Sequence, residues 1–102
     1  MKVNVKKIKS IKLFGKTYSV KFVDSKDRSM GGDDGRYCGR AIHDAQQILI
    51  RDGMASEQEL DTLLHEVAHI IEVNLGMELP EEKITLWATS LTDLFLSNEW
   101  RA

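Results

Sequence analysis

The stretch Gln47 to Gly76, QILIRDGMASEQELDTLLHEVAHIIEVNLG, contains the change of period that decides the fold. Its first five residues, QILIR, are a short apolar run closed by Asp52-Gly53, which reads as a buried strand. From Ser56 onward the spacing changes. Leu60, Leu63, Leu64, Val67, Ile70 and Ile71 recur at three and four residues, the stripe of an amphipathic helix of about five turns ending at Gly76. Ser56 followed by Glu59 has the spacing of a capping box, which would start that helix.

Upstream, Tyr18, Val20 and Phe22 alternate with Thr17, Ser19 and Lys21, the period of two expected of a half-buried strand. Val3, Val5, Ile11 and Leu13 alternate with lysines but lose phase around Ile8 to Ser10, which predicts two short strands or one strand with a bulge. Gly15 marks the turn between the two apolar runs. Residues from Tyr37 to Ile42 pair as an edge with QILIR, and Asp27 to Gly35 (DRSMGGDDG) is a loop by composition. Downstream, Pro80 suits the first turn of a second helix, with Glu81 and Glu82 at its positive dipole end. Its expected stripe is Ile84, Trp87, Ala88, Leu91, Leu94 and Phe95. Strands first and helices second predict one α+β domain over residues 1–102. Residues 1–54 would supply a small antiparallel sheet, and residues 55–98 two helices packed against it.

The remaining composition narrows the class of protein. A chain of 102 residues with 42% hydrophobic and 29% charged residues, one proline and seven glycines is ordinary for a single folded domain. No apolar run approaches the roughly 20 residues that span a bilayer, so no membrane partner is expected. The single Cys38 cannot form an intrachain disulfide, and with no secretory leader in view the expected location is the cytoplasm. Seven lysines and no acid lie before Asp24; the other seven basic residues against 16 acids leave the rest at −9. This lysine-rich arm is not expected to bind nucleic acid, and lysines on outer strands discourage edge-to-edge aggregation.

The chemistry sits on the first helix, in His65-Glu66-Val67-Ala68-His69. Residues i and i+4 share a helical face, so both imidazoles can converge on one ion, and the adjacent Glu66 is placed to act as general base. The spacing therefore predicts a Zn²⁺ site with His65 and His69 as ligands and Glu66 as the catalytic carboxylate. A catalytic zinc takes three protein ligands and keeps an open position. No histidine follows His69, which leaves Glu72, Glu78, Glu81, Glu82, Asp93 and Glu99 as downstream candidates. Glu81, three residues before Ile84 and seven before Ala88, falls in phase with the face turned toward the first helix. Glu82, its rival, points about 100° away. Tyr37 and His43, flanking the expected edge strand, are candidate substrate-binding residues.

The run LLHEVAHIIE from Leu63 to Glu72, the connection through Gly76 and Leu79, then Pro80-Glu81-Glu82-Lys83-Ile84 with Trp87-Ala88 and a leucine-rich end, resembles the compact zinc-peptidase-like proteins of phages and mobile elements. These are relatives of the ImmA/IrrE-type metallopeptidases. The resemblance covers about residues 36–98, and its specific part is the histidine motif. It implies a gluzincin-like fold, a protein or peptide substrate, of repressor type in members linked to mobile elements, and Glu81 as the third ligand. Many gluzincins place an aspartate four residues after that glutamate to orient a ligand histidine. Here Thr85 stands there, and Asp61, one turn before His65, is the candidate for that bond. The other reading is a catalytically weak or inactive binding module of the same origin that acts by protein–protein interaction.

Overall fold

The structure is a computed structural model, which describes residues 4–24 and 38–98. Tyr37 and the loop from Asp27 to Gly35 lie outside the described residues. The order of elements is β1 (Ser10–Leu13), β2 (Lys16–Val23), β3 (Gly39–Ile42), β4 (Gln47–Arg51), α1 (Ser56–Asn74) and α2 (Glu81–Leu96). The chain is α+β, with strands in its first half and helices in its second, as the change of period predicts.

The four strands form one sheet in the order β1-β2-β4-β3. β1 and β2 are antiparallel and joined through Phe14 and Gly15, whose φ values of 54° and 74° are those of a two-residue hairpin turn that follows the twist of the strands. β3 and β4 are also antiparallel, but β4 runs parallel to β2, with Val20 opposite Ile48 and Phe22 opposite Ile50. The sheet is thus mixed rather than all antiparallel. The reason lies in β4 itself: Ile48, Leu49 and Ile50 are all buried, and a strand apolar on both faces belongs in the middle of a sheet. β4 therefore inserts between β2 and β3, which leaves β3 as the edge.

The described part of the first apolar run is not a strand, and Val3 lies outside the described residues. Val5–Lys7 forms a 3-10 turn in which Asn4 and Val5 carbonyls accept the Lys7 and Ile8 N–H groups, and among the described residues strand structure begins at Ser10. That turn drops Val5 into the core beside Tyr18, Val20, Ile48, Ile50, Leu60, Leu63 and Ile70. The lysines described in this half are exposed. Lys6 is tied to Asp52 at 3.0 Å and Lys16 to Asn74 Oδ1 at 3.1 Å.

α1 lies across the sheet, and α2 packs mainly on α1 while Phe95 and Leu96 reach the sheet-side core. The capping box does not form: Ala55 caps α1, Ser56 is its first helical residue, and Glu59 is buried with its carboxylate 3.9 Å from Lys6 Nζ. At its other end Gly76 (φ 65°) closes α1, with Gly76 N–H bonded to the Val73 carbonyl and Met77 N–H to that of Glu72, the paired bonds of a Schellman motif. Pro80 caps α2 one residue ahead of its first turn.

The stripe of α2 is rotated from the expected one. Ile84, Ala88 and Thr92 are buried and Leu91 and Phe95 half-buried, whereas Trp87 and Leu94 are exposed. At about 100° per residue the buried positions span an arc from Leu91, roughly 20° on one side of Ile84, to Thr92, roughly 80° on the other. Trp87 and Leu94 fall beyond the Leu91 side. Glu81 falls inside the arc, at about 60°, and Glu82 nearly opposite Ile84. No helix among the described residues is long and apolar enough to cross a membrane.

Candidate metal centre

Two helices and an edge strand meet at a cleft of about 930 Å³. α1 contributes His65, Glu66 and His69 from adjacent turns of one face, α2 contributes Glu81 from its first turn, and β3 forms the opposite wall. The two imidazoles are 20% and 27% exposed, and the Glu81 side chain reaches in from solvent at 65%.

His65 Nε2 and His69 Nε2 are 3.2 Å apart. Glu81 closes the triangle, with Oε1 2.6 Å from His65 Nε2 and Oε2 3.1 Å from His69 Nε2. One donor atom from each residue can be chosen so that all lie within 4.8 Å of one another. Four ligands placed tetrahedrally at 2.0–2.1 Å from an ion are separated by about 3.3 Å, so two of the three spacings match a metal's demand without movement. The third is that of a histidine–carboxylate hydrogen bond. Glu81 rather than Glu82 faces the two histidines: among the described residues, His65, His69 and Glu81 form a group that could hold an ion.

Glu66 stands apart from that triangle. It is 8% exposed, facing β3, and burial raises its carboxyl pKa above the ordinary glutamate range. The histidines beside it and a hydrogen bond from the Ala41 N–H oppose that rise, and the Glu81 carboxylate adds to it. A carboxylate of enhanced proton affinity beside a group that could hold an ion is suited to take a proton from water.

The contact with β3 depends on Gly39, which packs against Thr62 and Glu66 with no room for a side chain. Because Arg51 N–H bonds to the Cys38 carbonyl, Cys38, Arg40 and Ile42 exchange bonds with β4, and the peptide groups of Gly39 and Ala41 project the other way. They face away from the sheet, along its edge.

His43 lies in the turn after β3, exposed and on the cleft wall. Cys38 is half-buried on the same wall, with Gln58 Nε2 3.7 Å from its sulfur, and is not one of the converging donors. Asp61, expected to orient a ligand histidine, accepts a hydrogen bond from Thr89 Oγ1 at 3.2 Å and so links the two helices. The carboxylate that does meet one of the two motif histidines is Glu72, 3.0 Å from His69 Nδ1. Its position three residues after His69 is legible in the sequence, where it stands among the downstream candidate ligands. Gly39 and Ala41 carry no such signal, because the approach of strand to helix is a tertiary distance. No family model, curated protein or solved structure matches this chain.

Proposed function

We propose that this chain is a zinc-dependent metallopeptidase-like protein, in which His65, His69 and Glu81 hold the ion and Glu66 is the general base. The observation that carries this reading is the convergence of three donors from two helices beside a buried glutamate, in a cleft walled by the strand that ends the sheet among the described residues. A bound Zn²⁺ would polarise a scissile carbonyl and acidify a water. The chain's own residues do the rest. Glu66, held by Ala41 N–H, accepts the proton of a water and delivers it to the leaving amine. Gly39 and the carbonyl of Ala41, whose N–H is taken by Glu66, offer peptide groups to an extended substrate segment lying along β3, which would add itself as a further strand and pass His43. A peptide or protein substrate fits this edge, and the resemblance of the sequence to phage and mobile-element peptidases makes a repressor-type protein the first to try. The reading places the protein in the cytoplasm, where Cys38 would remain a thiol.

Elemental analysis of the native protein, His65→Ala and Glu66→Gln tests the site, and digestion of an unstructured protein substrate tests the reaction. We expect about one zinc per chain in the native protein and in Glu66→Gln, loss of it in His65→Ala, and hydrolysis by the native protein alone. Equal hydrolysis by Glu66→Gln would overturn the mechanism. Zinc without hydrolysis in any form, repressor-type substrates included, would leave the binding-module reading. No zinc after incubation with excess ion would remove the metal altogether.

A further inference from the structure

We infer that Glu72 is a positioning residue that builds the metal centre from both sides at once, setting the tautomer of His69 and the placement of Glu81; this rests on the metal reading above. Glu72 Oε1 is 3.0 Å from His69 Nδ1, and Oε2 accepts the Leu79 N–H at 2.5 Å. The carboxylate is 13% exposed and has one oxygen for each partner.

The first contact decides which nitrogen of His69 is free. Two carboxylates that accept and do not donate face the ring, Glu72 at Nδ1 and Glu81 at Nε2, but Glu81 is 65% exposed and shared with His65 whereas Glu72 is 13% exposed, so the less solvated Glu72 keeps the proton on Nδ1 and Nε2 keeps its lone pair. Nε2 is the atom that lies 3.2 Å from His65 Nε2 and 3.1 Å from Glu81. Glu72 thus presents the metal-binding nitrogen to the site, as carboxylates behind ligand histidines generally do.

The second contact decides where α2 begins. Between the end of α1 and Glu81 the chain runs through an exposed connection, residues 75–80, whose backbone is bonded back to α1 only as far as Met77. Leu79 is two residues before Glu81, and its N–H on the Glu72 carboxylate is the last tie to α1 before the second helix starts. Pro80 follows with φ near its usual value and no N–H to offer. The connection is short enough that the position of Leu79 constrains Glu81. One side chain therefore couples a ligand on the first helix to a ligand on the second.

Glu72→Gln keeps size and shape but supplies one oxygen where two are needed, and Glu72→Ala removes both contacts. Two measurements separate the roles. Nitrogen-15 spectra of metal-free protein, taken at a pH where the imidazoles are neutral, report the His69 tautomer and the exchange of the Leu79 amide. Competition with a chelator reports zinc affinity. We expect the native protein to hold His69 as the Nδ1–H tautomer with a protected Leu79 amide. In Glu72→Ala, we expect a mixture of tautomers, an unprotected Leu79 amide and about 10–100-fold weaker zinc binding. Glu72→Gln should keep the fold and lose one of the two contacts, with a smaller loss of affinity. Unchanged tautomer and affinity in both variants would overturn the inference. Failure of the native protein to bind zinc would overturn the metal reading instead, leaving the tautomer and the Leu79 amide as the test of whether Glu72 organises the two helices.

Discussion

A β-carbon placed on Gly39 would lie 2.5 Å from Cγ2 of Thr62, a distance no two carbon atoms tolerate, so the edge strand and the motif helix touch with nothing between them. The same added atom would be 3.2 Å from Cγ of Glu66. This closeness is what lets Ala41 N–H reach the Glu66 carboxylate and turns one edge of the sheet into a wall of the site.

Gly39→Ala should therefore force β3 away from α1. The expected cost is about 1–3 kcal/mol in urea unfolding, the usual penalty for overpacking. Thr62→Ser removes the offending Cγ2, and Gly39→Ala combined with it should recover part of that loss. Additive effects of the two changes would show that the contact is not the source of the penalty.

Glu66 makes a prediction about pH. Its folded pKa is raised by burial, so the contribution of its protonated form to stability is complete below the unfolded value and disappears as pH rises through the folded value. In chelator, Glu66→Gln should thus be more stable than the native protein at neutral pH, because the ionised carboxylate is absent while an oxygen remains for Ala41 N–H. The advantage should shrink toward acid pH, below the ordinary glutamate range. Chemical denaturation of both proteins across pH checks the sign.

Zinc should stabilise the native fold if it binds the folded chain alone. At a free concentration 100 times the dissociation constant the gain is about 2.7 kcal/mol, read as a rise in melting temperature that chelator reverses. His69→Ala should melt at the same temperature with and without zinc. A zinc response in that variant would place the ion elsewhere.

The rotated stripe of α2 can be tested by contrast within one helix. Ile84 is fully buried against α1, and Ile84→Ala should cost about 2–5 kcal/mol. Leu86→Ala, at a position 65% exposed, should stay within about 0.5 kcal/mol of the native stability. Similar losses at both sites would mean that α2 presents a different face to α1.

Acid titration of Asp52 isolates the tie that holds the N-terminal turn. The Lys6 ammonium, 3.0 Å away, and the Gly53 N–H hold its carboxyl below the ordinary aspartate range. Its titration, followed by carbon-13 shifts, should move up toward that range in Lys6→Met. An unmoved midpoint would show that the pair does not persist in water.

What could be read from the chain alone was what depends on neighbours in sequence. QILIR is a strand because five residues say so, α1 is a helix because its apolar period persists for five turns, and His65, Glu66 and His69 share a face by helical geometry alone. Helical phase also singled out Glu81, since a position three before a buried Ile84 must turn the same way. Contacts between segments were decided by tertiary structure. The parallel pairing of β2 with β4, the burial of Glu59 that takes it out of a capping box, and the exposure of Trp87 each depend on which surface another element covers. So does the approach of Gly39 to Thr62, and so does the exchange of Asp61 for Glu72 as the carboxylate behind a histidine. Periodicity tells a side chain which way to point along its own element. What it meets there is set by how the elements pack, because burial and hydrogen bonding are satisfied between segments and not within them.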